Sequence, residues 1–175
     1  MASHLKTDIH SYAAALEVWA EHKRRDRIKL AHNTYLVPGP DNHPDTPTPG
    51  AEEDCPIYFA VRLHSTDIVT FHANGDVVLD TGGWRTVTTI HRMRAFMPGQ
   101  WPANSEARPF LLWSLRVKKG AWSVECERVS YVPRQSGELL CGRYDRTVIK
   151  SYPFESSQLR LVRSRTAGGF KLGKS

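Results

Sequence analysis

The 175-residue sequence predicts an α+β fold made mostly of antiparallel β-sheet. Three observations carry this. Apolar and polar residues alternate through residues 57–80, a second alternating pair of segments spans 110–131 around Lys119-Gly120, and helical apolar spacing is confined to an N-terminal stretch and a short segment near residue 90. Hydrophobic residues make up 40% of the chain, enough for a core and too many for a wholly disordered protein. The expected organisation is one domain over residues 1–155 followed by a basic, flexible tail at 156–175.

In chain order, residues 8–28 read as a helix. Thr7 or Asp8 offers a cap, and Ile9, Tyr12, Ala13, Leu16, Trp19 and Ala20 recur at three- and four-residue spacing. Residues 33–37 form a short strand candidate. Six prolines in residues 38–56 make a stiff, polar loop within the domain. In the meander, Phe59, Val61, Leu63, Val69, Phe71, Val77 and Leu79 are expected on one face. Tyr58, Arg62, His64, Thr70, His72, Asp76 and Asp80 are expected on the other. A three-residue loop with Gly75 left-handed pairs Phe71 with Val77 and Val69 with Leu79. The same logic at Ser65-Thr66-Asp67 pairs Leu63 with Val69 and Val61 with Phe71, which places His72 opposite Ala60. Gly82-Gly83 then redirects the chain so that Trp84 folds back onto the core.

Thr88 or Thr89 caps a short helix over about 89–97, on which Ile90, Met93 and Met97 share a side and which Pro98-Gly99 stops. A two-residue turn at Lys119-Gly120 pairs Val117 with Trp122, Leu115 with Val124 and Trp113 with Cys126. Residues 139–149 form a further strand, and Trp113 and Trp122 are core. Cys55, Cys126 and Cys141 lack paired spacing and read as reduced thiols.

The net charge is +6, unevenly spread. The tail carries Arg160, Arg163, Arg165, Lys171 and Lys174 with no acid, and residues 41–54 carry five acids with no base. A dense basic knot runs through Lys23, Arg24, Arg25, Arg27 and Lys29 and is expected to project from the end of the first helix. Such clusters attract polyanions by releasing condensed counterions. With Tyr58, Arg62, His64, Arg85 and Arg92 they form the candidate binding set, since aromatics beside cations can stack bases and contact phosphates. His64, Asp67 and His72 are candidate metal ligands by type, although standard sheet spacings hold the two imidazoles apart. No nucleotide fingerprint, GxSxG, HExxH or DxDxG motif occurs, so no cofactor is expected.

Residues 29–98 resemble a group of proteins encoded by tailed bacteriophages and their prophages. The matching residues are Lys29-Leu30, Asn33-Thr-Tyr35, Arg62-Leu-His-Ser-Thr-Asp67, Ile68-Val-Thr70, Asn74-Gly75, Val77, Leu79, Gly82-Gly-Trp84, Thr86, Thr88-Thr89, Arg92 and Pro98. The resemblance implies a phage origin and a shared small β-rich core, and no particular activity.

The expected function is therefore that of a non-enzymatic phage accessory protein in the host cytoplasm. Its expected partner is nucleic acid or a host protein–nucleic acid complex, with an anti-defence inhibitor as a special case and no membrane involved. The alternatives are a metal-dependent hydrolase or nuclease working from His64, Asp67 and His72, and a virion or assembly component.

Overall fold

Alternation through residues 57–80 produces three adjacent antiparallel strands, and the elements on either side extend them into a larger sheet. A computed structural model describes residues 9–23, 25–39, 55–98, 110–133, 142–154, 156–163 and 170–172. It confirms an α+β fold of mostly antiparallel strands with two helices. The chain groups into two units, Met1–Phe96 with Glu155–Ser175, and Met97–Phe154, where the sequence predicts a single domain.

In the first unit, helix α1 (Tyr12–Glu21) is capped by the Ser11 hydroxyl, which accepts from the Ala14 amide at 3.2 Å. The buried stripe is Ile9, Ala15 and Trp19, so the face is turned from the expected one and Ala13 is exposed. The helix ends well short of residue 28. Lys23 takes a left-handed conformation (φ 57°), and Trp19 Nε1 donates to the Arg25 carbonyl at 3.1 Å, folding the chain back. The basic knot is thus a loop running into strand β1 (Ile28–Ala31), whose Ile28, Leu30 and Ala31 are buried. Tyr12 and Trp19 pack their rings on Phe59 at 5.3 and 5.7 Å, which fixes α1 against the apolar face of the sheet.

Strands β2 (Thr34–Pro38), β3 (Tyr58–Leu63), β4 (Thr66–His72) and β5 (Val77–Asp80) follow in spatial order after β1. The β4–β5 register matches expectation, with Phe71 opposite Val77, Val69 opposite Leu79 and Gly75 at φ 87°. The β3–β4 register does not. Val61 lies opposite Val69, Phe59 opposite Phe71 and Leu63 opposite Thr66, with a bulge that leaves Ile68 as the extra residue. The turn is His64-Ser65 alone. This register brings Asp67 opposite Arg62 in a bidentate pair, at 2.6 Å from Nε and 3.0 Å from Nη2. All seven residues expected on the apolar face are buried, and so is Asp76, which alternation alone puts on the polar face.

Helix α2 (Val87–Ala95) starts two residues before the expected position because Thr86 is its cap, accepting from the Thr89 amide at 3.2 Å. Ile90, Met93, Phe96 and Met97 are buried.

The largest correction concerns the tail. Strand β9 (Gln158–Arg163) pairs with β5, matching Val77 to Leu161 and Leu79 to Leu159, and β10 (Phe170–Leu172) pairs with β9. Leu159 and Leu161 are core residues, and Arg160 Nη2 lies 2.7 Å from the buried Asp76 carboxylate. Residues 158–163 are therefore part of the sheet.

The second unit is a three-stranded sheet of β6 (Phe110–Lys118), β7 (Ala121–Pro133) and β8 (Gly142–Pro153). The β6–β7 register is the expected one, with Lys119 at φ 51° and Gly120 at φ 80° in the turn. Trp113 and Trp122 are buried, Trp113 stacked on Tyr152 at 6.0 Å and Trp122 edge-on to Phe154 at 6.4 Å. Cys55 and Cys126 are buried free thiols, and burial pushes the Cys126 thiol up, away from the reactive thiolate. Cys141 lies outside the described residues.

His72 supplies a pH prediction. Burial, helped by the Arg160 charge and opposed by Asp76, pushes its imidazole below the ordinary value of 6.5. The folded state thus binds fewer protons than the unfolded state, so stability is fully present above pH 6.5 and is lost as pH falls below it. His72→Gln should flatten that acid limb in thermal melts between about pH 5 and 7. An unchanged limb would mean that another group sets it.

Candidate functional site

Two surfaces of the first unit gather the sequence-predicted residues. The first begins at the loop after α1, where Lys23, Arg25 and Arg27 are exposed and Lys29 continues them onto β1. Arg24 lies outside the described residues. On the polar face of the sheet, Lys29 stands opposite Tyr35, Tyr35 opposite Arg62, and Arg62 opposite Asp67. The Arg27 guanidinium sits 5.2 Å above the Tyr35 ring, within cation–π range. A basic loop thus runs into a row of alternating cation and aromatic. Tyr35 is absent from the candidate binding set read from the sequence, because nothing local shows that it neighbours Arg27 and Arg62.

Arg62 belongs to this row but is committed to Asp67, whose hydrogen-bonded carboxylate holds the guanidinium charged by raising its pKa further. Tyr58 is at the far end of β3, against the backbone of Gly39 and tilted on His72 at 5.7 Å. These two contribute less than their shared sheet face suggests.

The metal constellation is not assembled. Asp67 is paired with Arg62, His64 is in the turn, and His72 lies opposite Tyr58, six residues along β3 from His64. At the usual strand rise the two imidazoles are about 20 Å apart along the sheet. Among the described residues, no group of three or more His, Cys, Asp or Glu could hold a metal ion.

The second surface is a cavity of about 400 Å³ between the β3–β4 turn and the segment leading into α2. Its floor is the buried Leu63, Ile68, Thr81 and Thr89. Its rim carries His64, Ser65, Thr66, Thr86, Thr88 and Trp84. The Gly82-Gly83 turn links two of its lining residues, Thr81 and Trp84. Gly82, at φ 56°, lies so close to Thr66 that any Cβ would sit 2.7 Å from its methyl group. That turn sends Trp84 outward, contrary to expectation, and leaves it 69% exposed. His64 holds a left-handed conformation (φ 55°), as the first residue of the two-residue hairpin turn His64-Ser65.

The cavity hydroxyls divide into two groups. Thr81 donates to the Ser157 carbonyl, and Thr86 and Thr89 bond each other. Ser65, Thr66 and Thr88, like the Trp84 indole, have no hydrogen-bond partner among the described residues. Arg85 is exposed beside Trp84 and donates to the Ser156 carbonyl at 3.2 Å, while Arg92 is half-buried on α2.

Comparison of the chain with protein-family models, with curated proteins and with solved structures finds no match. No helix among the described residues is long and apolar enough to cross a membrane.

Proposed function

We propose that the protein is a phage-encoded accessory protein that acts by binding nucleic acid rather than by catalysis. The phage origin rests on the resemblance of residues 29–98. The binding reading rests on one observation above all: the exposed Lys23, Arg25, Arg27 and Lys29 lead directly into the Arg27–Tyr35 stack on an open strand row. Clustered cations supply the sequence-independent attraction to phosphates, and an adjacent ring supplies contact area that every base can use. Asp26 is the single acid in that loop, so the local charge stays strongly positive. The hydrolase alternative loses its ligand set, since Asp67 is held by Arg62 and His72 is remote from His64.

Binding to single- and double-stranded DNA and RNA, measured against salt by fluorescence anisotropy, tests this. Affinity should fall steeply with salt. Neutralising Arg25, Arg27 and Lys29 together to Gln should make the log–log slope on a single strand shallower by about 2. A flat salt dependence, or no binding at about 50 mM salt, would exclude nucleic acid and leave a protein partner as the target.

A further inference from the structure

The cavity beside Trp84 has a ligand chemistry that the basic row does not share. It is close to the lower end of small-ligand sites in size and has an apolar floor. No acid and no lysine or arginine is among its lining residues. What it offers is one large aromatic face and hydroxyl groups without a partner.

An indole exposed at 69% leaves apolar area in water, and here it stands at the mouth of a hollow instead of on a flat surface. Ser65, Thr66 and Thr88 hydroxyls each donate and accept, so they can match a planar ligand whose edge mixes both roles. A nucleobase has that edge and a π-face for Trp84. Charge is not needed inside the cavity, because phosphates would remain outside it, where Arg85 is exposed.

Position supports the same ligand. The cavity wall Leu63–Thr66 is the hydrogen-bonded continuation of the Arg62–Asp67 pair, next in register along the β3–β4 hairpin. The row Lys29–Tyr35–Arg62 lies on the sheet face opposite Leu63 and Thr66, and the two faces meet at the His64-Ser65 end of the hairpin, two positions beyond Arg62. A strand of nucleic acid following the cations would have to round that hairpin end to place a base at Trp84. A duplex could not, since its bases are stacked and paired.

We infer that this cavity is the subsite for one unpaired nucleobase, stacked on Trp84 and bonded at its edge by Ser65, Thr66 and Thr88. The inference rests on the nucleic-acid-binding reading and adds to it a preference for single strands carrying bases.

The test compares an oligodeoxythymidine of about 12 nucleotides with an abasic oligomer of equal length, on the intact protein at fixed salt. The base-bearing strand should bind about tenfold more tightly. Trp84→Ala should remove that preference and leave abasic binding unchanged, while Trp84→Phe keeps most of it. Thr88→Val, at an exposed rim position, should reduce the preference without touching the indole, which keeps the test decisive if Trp84→Ala folds poorly. Equal binding of the two oligomers by the wild-type protein, or a preference that survives Trp84→Ala, overturns the subsite and leaves the nucleic-acid reading standing. Failure to bind either oligomer overturns the subsite, and overturns the nucleic-acid reading as well if duplex DNA and RNA also fail to bind.

Discussion

Deleting residues 156–175 is expected to abolish the cooperative unfolding transition of the first unit. The deletion removes β9, and with it the buried side chains of Leu159 and Leu161, each contributing about 1.5–3 kcal/mol by burial. It also strips Arg160 from the buried Asp76, Gln158 from Asp80, and the Ser157 carbonyl from both the amide and hydroxyl of Thr81. A buried carboxylate deprived of its cation costs about 1–3 kcal/mol more. These losses are comparable to the roughly 5–15 kcal/mol that holds an ordinary domain together. Strand β5 would in addition become an unprotected edge, inviting aggregation. Leu161→Ala alone should cost about 2–5 kcal/mol, separating the core contribution from the rest. A truncated chain that melts within a few degrees of the full protein would show that β9 is dispensable.

The same strand shows where local pattern stops carrying information. Leu159, Arg160, Leu161 and Val162 include a two-residue alternation, but it is short and set in a basic stretch, and its partner β5 lies about eighty residues earlier. Nothing near it in sequence names that partner. The hairpins were legible because each is closed by a turn that restricts register: Gly75 and Lys119-Gly120 place Phe71 against Val77 and Trp113 against Cys126. Between β3 and β4 the apolar face is legible while the register is not. A bulge absorbs one residue, and this register brings Arg62 opposite Asp67, a pairing that hydrophobic alternation does not report. The basic knot misleads for a related reason: Arg and Lys favour helices, yet Ile28 and Leu30 gain more from burial in β1.

The candidate site was legible as residue types and not as an arrangement. The basic loop was visible in composition, but its aromatic neighbour Tyr35 required the β1–β2–β3 pairing. The cavity joins residues 63–68 to 81–89, two segments that become neighbours only through the hairpin between them. Gly82-Gly83 announced a special backbone, and both glycines have positive φ. The direction of Trp84 could not follow from that, because such a turn can send the next side chain inward or outward. Thr66 beside Gly82 shows only why that position must lack a Cβ.

Arg116→Met is expected to destabilise the second unit by about 2–3 kcal/mol. Glu127 is 1% exposed, and its Oε1 accepts from Ser114 Oγ at 3.0 Å and from Arg116 Nη2 at 2.5 Å. Removing the guanidinium takes a cation from a carboxylate that water does not reach, and the charge of Glu125, 3.4 Å from Arg116 Nε, then adds only repulsion. Losing one partner of a fully buried pair costs about 3–5 kcal/mol, and the half-exposed Arg116 side chain brings the figure down because solvent already screens part of the attraction. Glu127→Gln keeps the shape and the hydrogen bond from Ser114 and should cost about 1 kcal/mol. Combined with Glu127→Gln, Arg116→Met should therefore cost much less than it does alone. Denaturant unfolding followed through Trp113 and Trp122, both in this sheet, measures the cycle. Equal costs in the two backgrounds would mean that Arg116 acts through its aliphatic stem against the sheet and not through its charge on Glu127.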